Sequence, residues 1–158
     1  MSNVMRYKST GEVHKDFHGL ACATLHYLLE NYGASAVNEV VRNTACNVYR
    51  TMRESIGRGD FAELEEFWAY YLGREVGSFS IERLADGIRL EVSDCPALRH
   101  LVFMGKAPDP IMCDATRVFN EALADGSPYD AKLERTGEFS CVQTFSRVNS
   151  KQDRRESK

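Results

Sequence analysis

Cys95 is the residue best placed for chemistry in this sequence of 158 residues. It follows an alternating apolar segment, Ile88 to Val92, which predicts a strand, and it precedes Pro96, which favours the first position of a helix. A thiol at this junction would face unpaired backbone N–H groups and the positive end of the helix dipole, and both favour the thiolate. The position therefore predicts a nucleophilic cysteine, with a small buried side chain at a helix start as the alternative.

Two further cysteines lie where a reactive thiol or a metal ligand could be. Cys113 falls in the first turn of a helix that begins at Asp109 and Pro110, which predicts a second thiol of lowered pKa if solvent reaches it. Cys141 lies on the last predicted strand, on the face turned towards the core or a pocket. For both cysteines the alternative is a small side chain packed in the core.

Three histidines and a cysteine are spaced by four residues on the first predicted helix, at His14, His18, Cys22 and His26. His14 and His18 are one turn apart, a spacing that lets two imidazoles bind one metal ion, but the glutamate of the zinc-protease motif is absent. The alternative is a partly exposed flank of the helix, and we expect His26 on the surface. The predicted buried face of this helix consists of Val13, Phe17, Leu20, Ala21, Thr24 and Leu28.

The apolar pattern predicts three helices, a hairpin, two more helices and a second hairpin. The helices cover about 12–31, 35–56, 60–72, 96–104 and 110–124, and the hairpins about 79–92 and 131–147. Gly87, in the turn of the first hairpin, is free to take a positive φ. This order predicts an α+β fold, with three N-terminal helices and then a four-stranded antiparallel sheet built from two hairpins with two intervening helices. We expect a loose N-terminus over 1–11, a single domain over 12–147 and a disordered tail over 148–158.

Aromatic residues are concentrated in the third helix and the strand after it. Phe67, Trp68 and Phe79 are typical core residues, and the alternative is that they line an apolar ligand pocket. We take these three side chains and His14 as candidate substrate-binding residues. The pattern does not distinguish burial of this helix within one chain from burial across a dimer, so a homo-oligomer stays open.

The composition excludes several classes of protein. The net charge is −3 with dispersed basic residues, which offers no surface for nucleic acid, and no apolar run is long enough to span a membrane. The first ten residues lack the apolar segment of a secretory signal, so we expect the protein in the cytoplasm. The five cysteines include no Cys-x-x-Cys pair and are expected to be free thiols in that compartment.

Three cysteine motifs resemble the L-2-amino-thiazoline-4-carboxylic acid hydrolase-like family. They are Cys95-Pro96 after a strand, Cys113 with Asp114, and Cys141 with Phe145 on the last strand. The segments Phe17-His18-Gly19, Tyr27-Leu28 and Tyr32-Gly33 are also similar, and the resemblance covers about residues 12–147. The order of elements is similar as well to that of the four-vinyl-reductase and haem-nitric-oxide-binding domains, which bind small molecules between helices and sheet.

The first resemblance implies a hydrolase that takes a small-molecule substrate and opens a cyclic amidine at the carbon between nitrogen and sulfur. In one version Cys95 attacks this carbon and His100 transfers protons. Asp94 then orients an amine or a water, and Cys113 is a further catalytic thiol. In another version a metal ion is the cofactor and activates water, with the ligands Cys95, Cys113, Cys141 and His18. The second resemblance implies a small-molecule-binding or sensor domain without catalysis.

Overall fold

The computed structural model of the chain describes residues 16–148. The α-helices are α1 (Asp16–Tyr32), α2 (Ala34–Asn43), α3 (Arg50–Gly57), α4 (Ala62–Arg74), α5 (Pro96–Phe103) and α6 (Pro110–Ala124). The strands are β1 (Ser78–Leu84), β2 (Gly87–Asp94), β3 (Tyr129–Arg135) and β4 (Cys141–Arg147). The fold is α+β, as the order of elements predicts.

Some predicted features lie outside the described residues. They are His14, the loose N-terminus over 1–11 and positions 149–158 of the predicted tail. Among residues 16–148, no helix combines the length and the apolar character needed to cross a membrane.

The strands form one antiparallel sheet in the order β1-β2-β4-β3. The two predicted hairpins lie side by side because β2 also pairs with β4, with Val92 opposite Cys141. The side chains of Ile88, Leu90 and Val92 share one face of β2 and are at most 2% exposed. The alternation predicted for this strand therefore places one face of the sheet in the core.

Gly87 begins β2 and does not have the positive φ that its place in the turn allowed. Its importance comes from a close approach of two strands, because a Cβ here would lie 1.9 Å from the carbonyl oxygen of Phe145. The central strands β2 and β4 can therefore keep this register only with glycine at the position.

Buried side chains form two apolar clusters. The larger lies between the sheet and α3, α4 and α6, and its members include Ile56, Leu64, Trp68, Leu123 and Phe145. The smaller lies between α1, α5 and α6 and consists of Cys22, Leu98, Leu101 and Ile111. Cys95 packs against both clusters, so the junction of β2 and α5 lies between them.

The second predicted helix, 35–56, is interrupted. It is replaced by α2 and α3 with a π-helical turn, Thr44–Val48, between them. Tyr49 follows the turn, and its ring packs at nearly right angles against Phe67 and Phe119, with ring centroids 5.5 and 5.0 Å apart. These aromatic contacts stabilise the break. The part of the chain before the sheet thus contains four α-helices in the described residues, rather than three.

Helix α1 packs through a different face from the one predicted. Phe17 and Leu20 are 61% and 68% exposed, whereas His18 and Cys22 are 8% and 3% exposed. The prediction was wrong for two reasons. Apolar residues occur all round this helix, and the polar side chains on its other face find partners after α4 and before α6.

Candidate functional site

Cys95 is the N-cap residue of α5, as predicted, and Pro96 is the first residue of the helix. The backbone N–H of Cys95 donates a 2.8 Å hydrogen bond to the carbonyl of Phe139, which ties the end of β2 to the segment before β4. The neighbouring Asp94 forms an ion pair with Arg99, with 3.0 Å between carboxylate oxygen and guanidinium nitrogen. Arg99 therefore holds Asp94 at the partly exposed rim of the site.

The thiol of Cys95 does not have the lowered pKa that its position predicts. Burial raises its pKa and the charges of Glu75 and Asp94 add to the rise, whereas the backbone N–H groups of Leu98 and Ala97 lower it. Burial dominates because the side chain lies between two apolar clusters, while α5 has only eight residues. The resting thiol is therefore protonated at neutral pH.

Cys95, Cys113 and Cys141 lie near enough to influence one another's pKa, and we call them the thiol cluster. Burial raises the pKa of Cys113 to about 11, and its two partners add to the rise while Arg135 opposes it. Burial also raises the pKa of Cys141, and Cys95 adds to that rise. The three residues lie in one region of the fold because β4 pairs with β2, which leads directly into Cys95, and because α6 carries Cys113. All three cysteines are free.

A pair of buried amides supports the thiol cluster from the core. The side chain of Asn120 donates a 2.7 Å hydrogen bond to Oε1 of Gln143, and Nε2 of Gln143 donates to Sγ of Cys141 over 3.8 Å. Asn120 and Gln143 are 2% and 8% exposed. In the sequence, each is a polar residue at a position where the periodicity predicts a buried side chain. This pattern alone did not indicate that either belongs to a functional site.

A buried imidazole and carboxylate form a pair, and the charge of the carboxylate raises the pKa of Cys95. Nε2 of His18 is 2.6 Å from Oε2 of Glu75, and the two residues are 8% and 4% exposed. The turn after α4, in which Val76 has a φ of 59°, carries Glu75 inwards. In the sequence this residue lies in a short polar stretch between a helix and a strand, a pattern typical of surface loops.

His100 extends this polar group. Its ring centroid is 6.3 Å from that of His18, and its Nε2 atom is buried without a hydrogen-bond partner in residues 16–148. The nearest carboxylate recorded for it is Asp16, with 3.8 Å between Nε2 and Oδ1. Two imidazoles therefore lie near each other beside α5, and one of their ring nitrogens has no hydrogen-bond partner within the described part of the chain.

Three potential metal ligands meet between α1 and the start of α6. The ligand atoms of Cys22, His26 and Asp109 all lie within 4.8 Å of one another, and we call these residues the Cys–His–Asp cluster. Nε2 of His26 is 2.5 Å from Oδ2 of Asp109, and Sγ of Cys22 is 3.6 Å from the same oxygen. The other carboxylate oxygen accepts a 3.0 Å hydrogen bond from the N–H of Ile111, which is the predicted N-cap interaction of α6.

The pKa values within this cluster move in opposite directions. Burial raises the pKa of Cys22, and the charge of Asp109 adds to the rise. Burial alone would raise the pKa of Asp109, but hydrogen bonds from His26 and from the N–H of Ile111 outweigh this effect and hold the pKa below its usual value. The carboxylate is therefore ionised and the thiol protonated at neutral pH.

The predicted metal ligands do not form a comparable group. Within residues 16–148, the Cys–His–Asp cluster is the only set of three such side chains whose ligand atoms come this close. The predicted set was Cys95, Cys113, Cys141 and His18, and its imidazole is bound instead to Glu75. The sequence interpretation did not single out Asp109 as a potential ligand, because nothing in the spacing indicates that α1 meets the start of α6. His26 was expected on the surface, and its side chain is 41% exposed while it contacts Asp109.

The candidate substrate-binding aromatics lie in or against the larger apolar cluster, with Trp68 buried and Phe67 and Phe79 partly buried. Trp68 is 5% exposed and its ring centroid is 6.0 Å from that of Phe145. Phe67 packs against Tyr49, and Phe79 lies against the larger apolar cluster. These rings contribute to the packing between sheet and helices, and a role in binding a substrate stays a prediction.

An open groove of about 220 Å³ lies beside the start of β3. Its lining is largely polar and includes Arg42, Glu121 and Asp130, with no cysteine or histidine. The groove therefore lacks the side chains on which the chemistry considered for this chain depends.

Comparison of the chain with protein-family models, with curated proteins and with solved structures found no match. Its chemistry has to be inferred from the residues around Cys95 themselves.

Proposed function

We propose that the chain is a small hydrolase that opens a cyclic amidine, or breaks a related non-peptide carbon–nitrogen bond, through the thiol of Cys95. The observation that carries this proposal is the buried His18–Glu75 pair, whose carboxylate lies close enough to influence the pKa of Cys95. Burying two ionisable groups is costly, and replacing such a pair with apolar residues often stabilises a protein. A pair that is kept in the core at this cost is therefore a candidate for a functional role.

The protonated state of Cys95 defines what its neighbours have to do. A thiol of raised pKa attacks carbon only when a base removes its proton. His18 is the base in this proposal, and Glu75 orients its ring, in the arrangement that cysteine and serine hydrolases share. His100, whose Nε2 atom is buried without a hydrogen-bond partner among residues 16–148, is the second imidazole available for proton transfer.

The reaction then follows in balanced steps. His18 takes the proton of Cys95 while the sulfur bonds to the amidine carbon, and the ring carbon–nitrogen bond breaks as His18 returns the proton to the leaving nitrogen. A water molecule adds to the same carbon, loses a proton to His18 and releases the thiolate, which is then reprotonated. The backbone N–H groups of Ala97 and Leu98 lower the pKa of Cys95, so they stabilise its anionic form at both stages.

The other thiols have supporting roles in this scheme. A pKa of about 11 leaves Cys113 neutral, so it acts as a weak S–H donor beside the substrate rather than as a second nucleophile. The amide of Gln143 fixes Cys141 from the core side. Free cysteines are stable in a reducing compartment, which supports a cytoplasmic location as part of the proposal.

Turnover of a panel of 2-aminothiazolines and related cyclic amidines tests the proposal, with ring opening followed by mass spectrometry. Cys95→Ser is expected to abolish turnover, and Glu75→Gln is expected to reduce it by about 100-fold because it removes the charge that orients the base. Cys46→Ser, on the π-helical turn, is the matched control and is expected to keep full activity. Thermal unfolding of each variant confirms that it is folded.

Intact mass spectrometry under single-turnover conditions provides a second measurement. A covalent adduct is expected on wild-type protein and on Cys46→Ser but not on Cys95→Ser. Turnover that survives Cys95→Ser would contradict the proposal. Saturable binding of these compounds without any product would instead favour the non-catalytic binding domain.

A further inference from the structure

We infer that Cys22, His26 and Asp109 form a binding site for one divalent transition-metal ion of the zinc class, separate from the thiol of Cys95. Their ligand atoms already lie within 4.8 Å of one another. In a tetrahedral zinc site, with bonds of about 2.0 to 2.3 Å, neighbouring ligand atoms are about 3.5 Å apart. Small side-chain adjustments therefore suffice to complete the site.

The convergence of these groups on a single oxygen is more than an inter-helix tether requires. Oδ2 of Asp109 is approached by Nε2 of His26 at 2.5 Å and by Sγ of Cys22 at 3.6 Å. One of these contacts would be enough to join α1 to α6. A cation placed between the three atoms satisfies all of them, with the thiol proton released to solvent.

The way each ligand is held matches a preformed site. Cys22 and His26 are four residues apart on one face of α1, a spacing that presents both side chains to the same point. Asp109 precedes Pro110 as the N-cap of α6, and its second oxygen is fixed by the N–H of Ile111 at 3.0 Å. A carboxylate oriented in this way by an outer hydrogen bond is typical of metal ligands.

The donor set and its exposure indicate the class of ion. One sulfur, one imidazole nitrogen and one carboxylate oxygen suit zinc and its neighbours, whereas magnesium and calcium prefer oxygen ligands alone. Cys22 is 3% exposed, but the side chains of His26 and Asp109 are 41% and 24% exposed. The thiol thus forms the floor of the site and solvent reaches its rim, so that water supplies the fourth ligand.

Metal binding to the purified full chain tests this inference. Protein stripped with a chelator is titrated with Zn²⁺ in competition with a chromophoric chelator, and we expect one ion per chain. Titration with Co²⁺ is expected to give a thiolate-to-cobalt charge-transfer band, which reports directly on a sulfur ligand.

Variants then assign the ligands. Cys22→Ser, His26→Gln and Asp109→Asn are expected to weaken Zn²⁺ binding by roughly 100-fold each, since even outer-shell changes cost about 10- to 100-fold. Asp109→Asn keeps an N-cap residue, so helix α6 is retained. The controls are Cys95→Ser, Cys113→Ser and Cys141→Ser, which remove the thiol cluster one sulfur at a time and are expected to leave Zn²⁺ affinity unchanged.

Any of three results would overturn the inference. The first is Zn²⁺ affinity that falls in the thiol-cluster variants and not in those of Cys22, His26 and Asp109. The second is a Co²⁺ spectrum without the charge-transfer band, and the third is the absence of stoichiometric Zn²⁺ binding. None of these results depends on hydrolytic turnover, so this site and the proposed activity can fail independently.

Discussion

Cys95 is subject to two opposing influences, and only one of them can be predicted from sequence. The N-cap position, with Pro96 next to it, is evident from residue types and was confirmed. Burial between two apolar clusters is not evident, because it depends on α1, α4 and β4, which lie far away in sequence. Desolvation raises the pKa of Cys95 by more than the backbone N–H groups of the short helix lower it. The thiol is therefore protonated and needs a base to become a nucleophile.

The sulfur of Cys113 provides a test of the rise in pKa that burial causes. Burial raises its pKa to about 11, so its alkylation rate by iodoacetamide is expected to keep rising with pH until about 11, whereas an ordinary thiol levels off near 9.0. The rate at Cys113 is measured by peptide mass spectrometry over a pH series. The urea-unfolded protein is the reference. A profile that levels off at the same pH in folded and unfolded protein would contradict the assigned burial.

Breaking the buried His18–Glu75 pair is expected to lower the free energy of unfolding. Glu75→Ala leaves a buried imidazole without its partner and is expected to destabilise the fold by about 3 kcal/mol. His18→Ala is expected to cost a similar amount, and the double variant less than the sum of the two, because the residues share one interaction. Urea unfolding of the four proteins measures these differences.

An exposed ion pair serves as the control for this cycle. Arg50 and Glu54 lie 3.8 Å apart with side chains that are 74% and 57% exposed. Glu54→Ala is expected to change the unfolding free energy by less than about 0.5 kcal/mol. A loss at Glu75 no larger than at Glu54 would show that the buried pair is not a coupled unit.

Strand β2 and helix α1 illustrate where the periodicity of apolar residues is informative and where it is not. On β2 the alternation of Ile88, Leu90 and Val92 identified the buried face correctly. On α1 apolar side chains occur on every side, and the packed face is selected by contacts of His18 and His26 with residues 57 and 83 positions away. Such pairings are tertiary, and no local pattern contains them. The same holds for the π-helical turn, which Tyr49 stabilises by packing on α4 and α6.

Two glycines give opposite predictions for the same substitution. Gly87→Ala is expected to destabilise the protein by about 3 kcal/mol, because the added Cβ would lie 1.9 Å from the carbonyl oxygen of Phe145 and would separate β2 from β4. Gly73→Ala, near the end of α4 with nothing within 4 Å of the new Cβ, is expected to stabilise it by about 0.5 kcal/mol. Thermal and urea unfolding measure both, and equal effects of the two variants would contradict this account of the central strand pair.

The two apolar clusters meet at the thiol cluster, so the protonation of these sulfurs is linked to the stability of the whole fold. The folded protein raises the pKa of Cys22, Cys95, Cys113 and Cys141, whereas an unfolded chain has thiols near the ordinary value of 9.0. Above this value the folded state binds more protons than the unfolded state, so the unfolding free energy has to fall as the pH rises. The stabilising contribution is complete below pH 9.0 and, for Cys113, is lost as the pH passes through about 11.

This linkage predicts a specific change in the alkaline slope of stability. Cys113→Ala removes one titrating group. The unfolding free energy of this variant is therefore expected to decline less steeply than that of the wild type between pH 9.0 and about 11. The lost side-chain contacts are expected to lower its stability at neutral pH. Urea unfolding at a series of pH values measures the slope, and Cys46→Ala controls for the loss of a thiol outside the cluster. The slope is the decisive quantity, since a packing defect shifts the curve without tilting it. Parallel curves for wild type and Cys113→Ala would mean that the proton on this sulfur is not coupled to folding, and burial in the folded state could not then be the reason for its raised pKa.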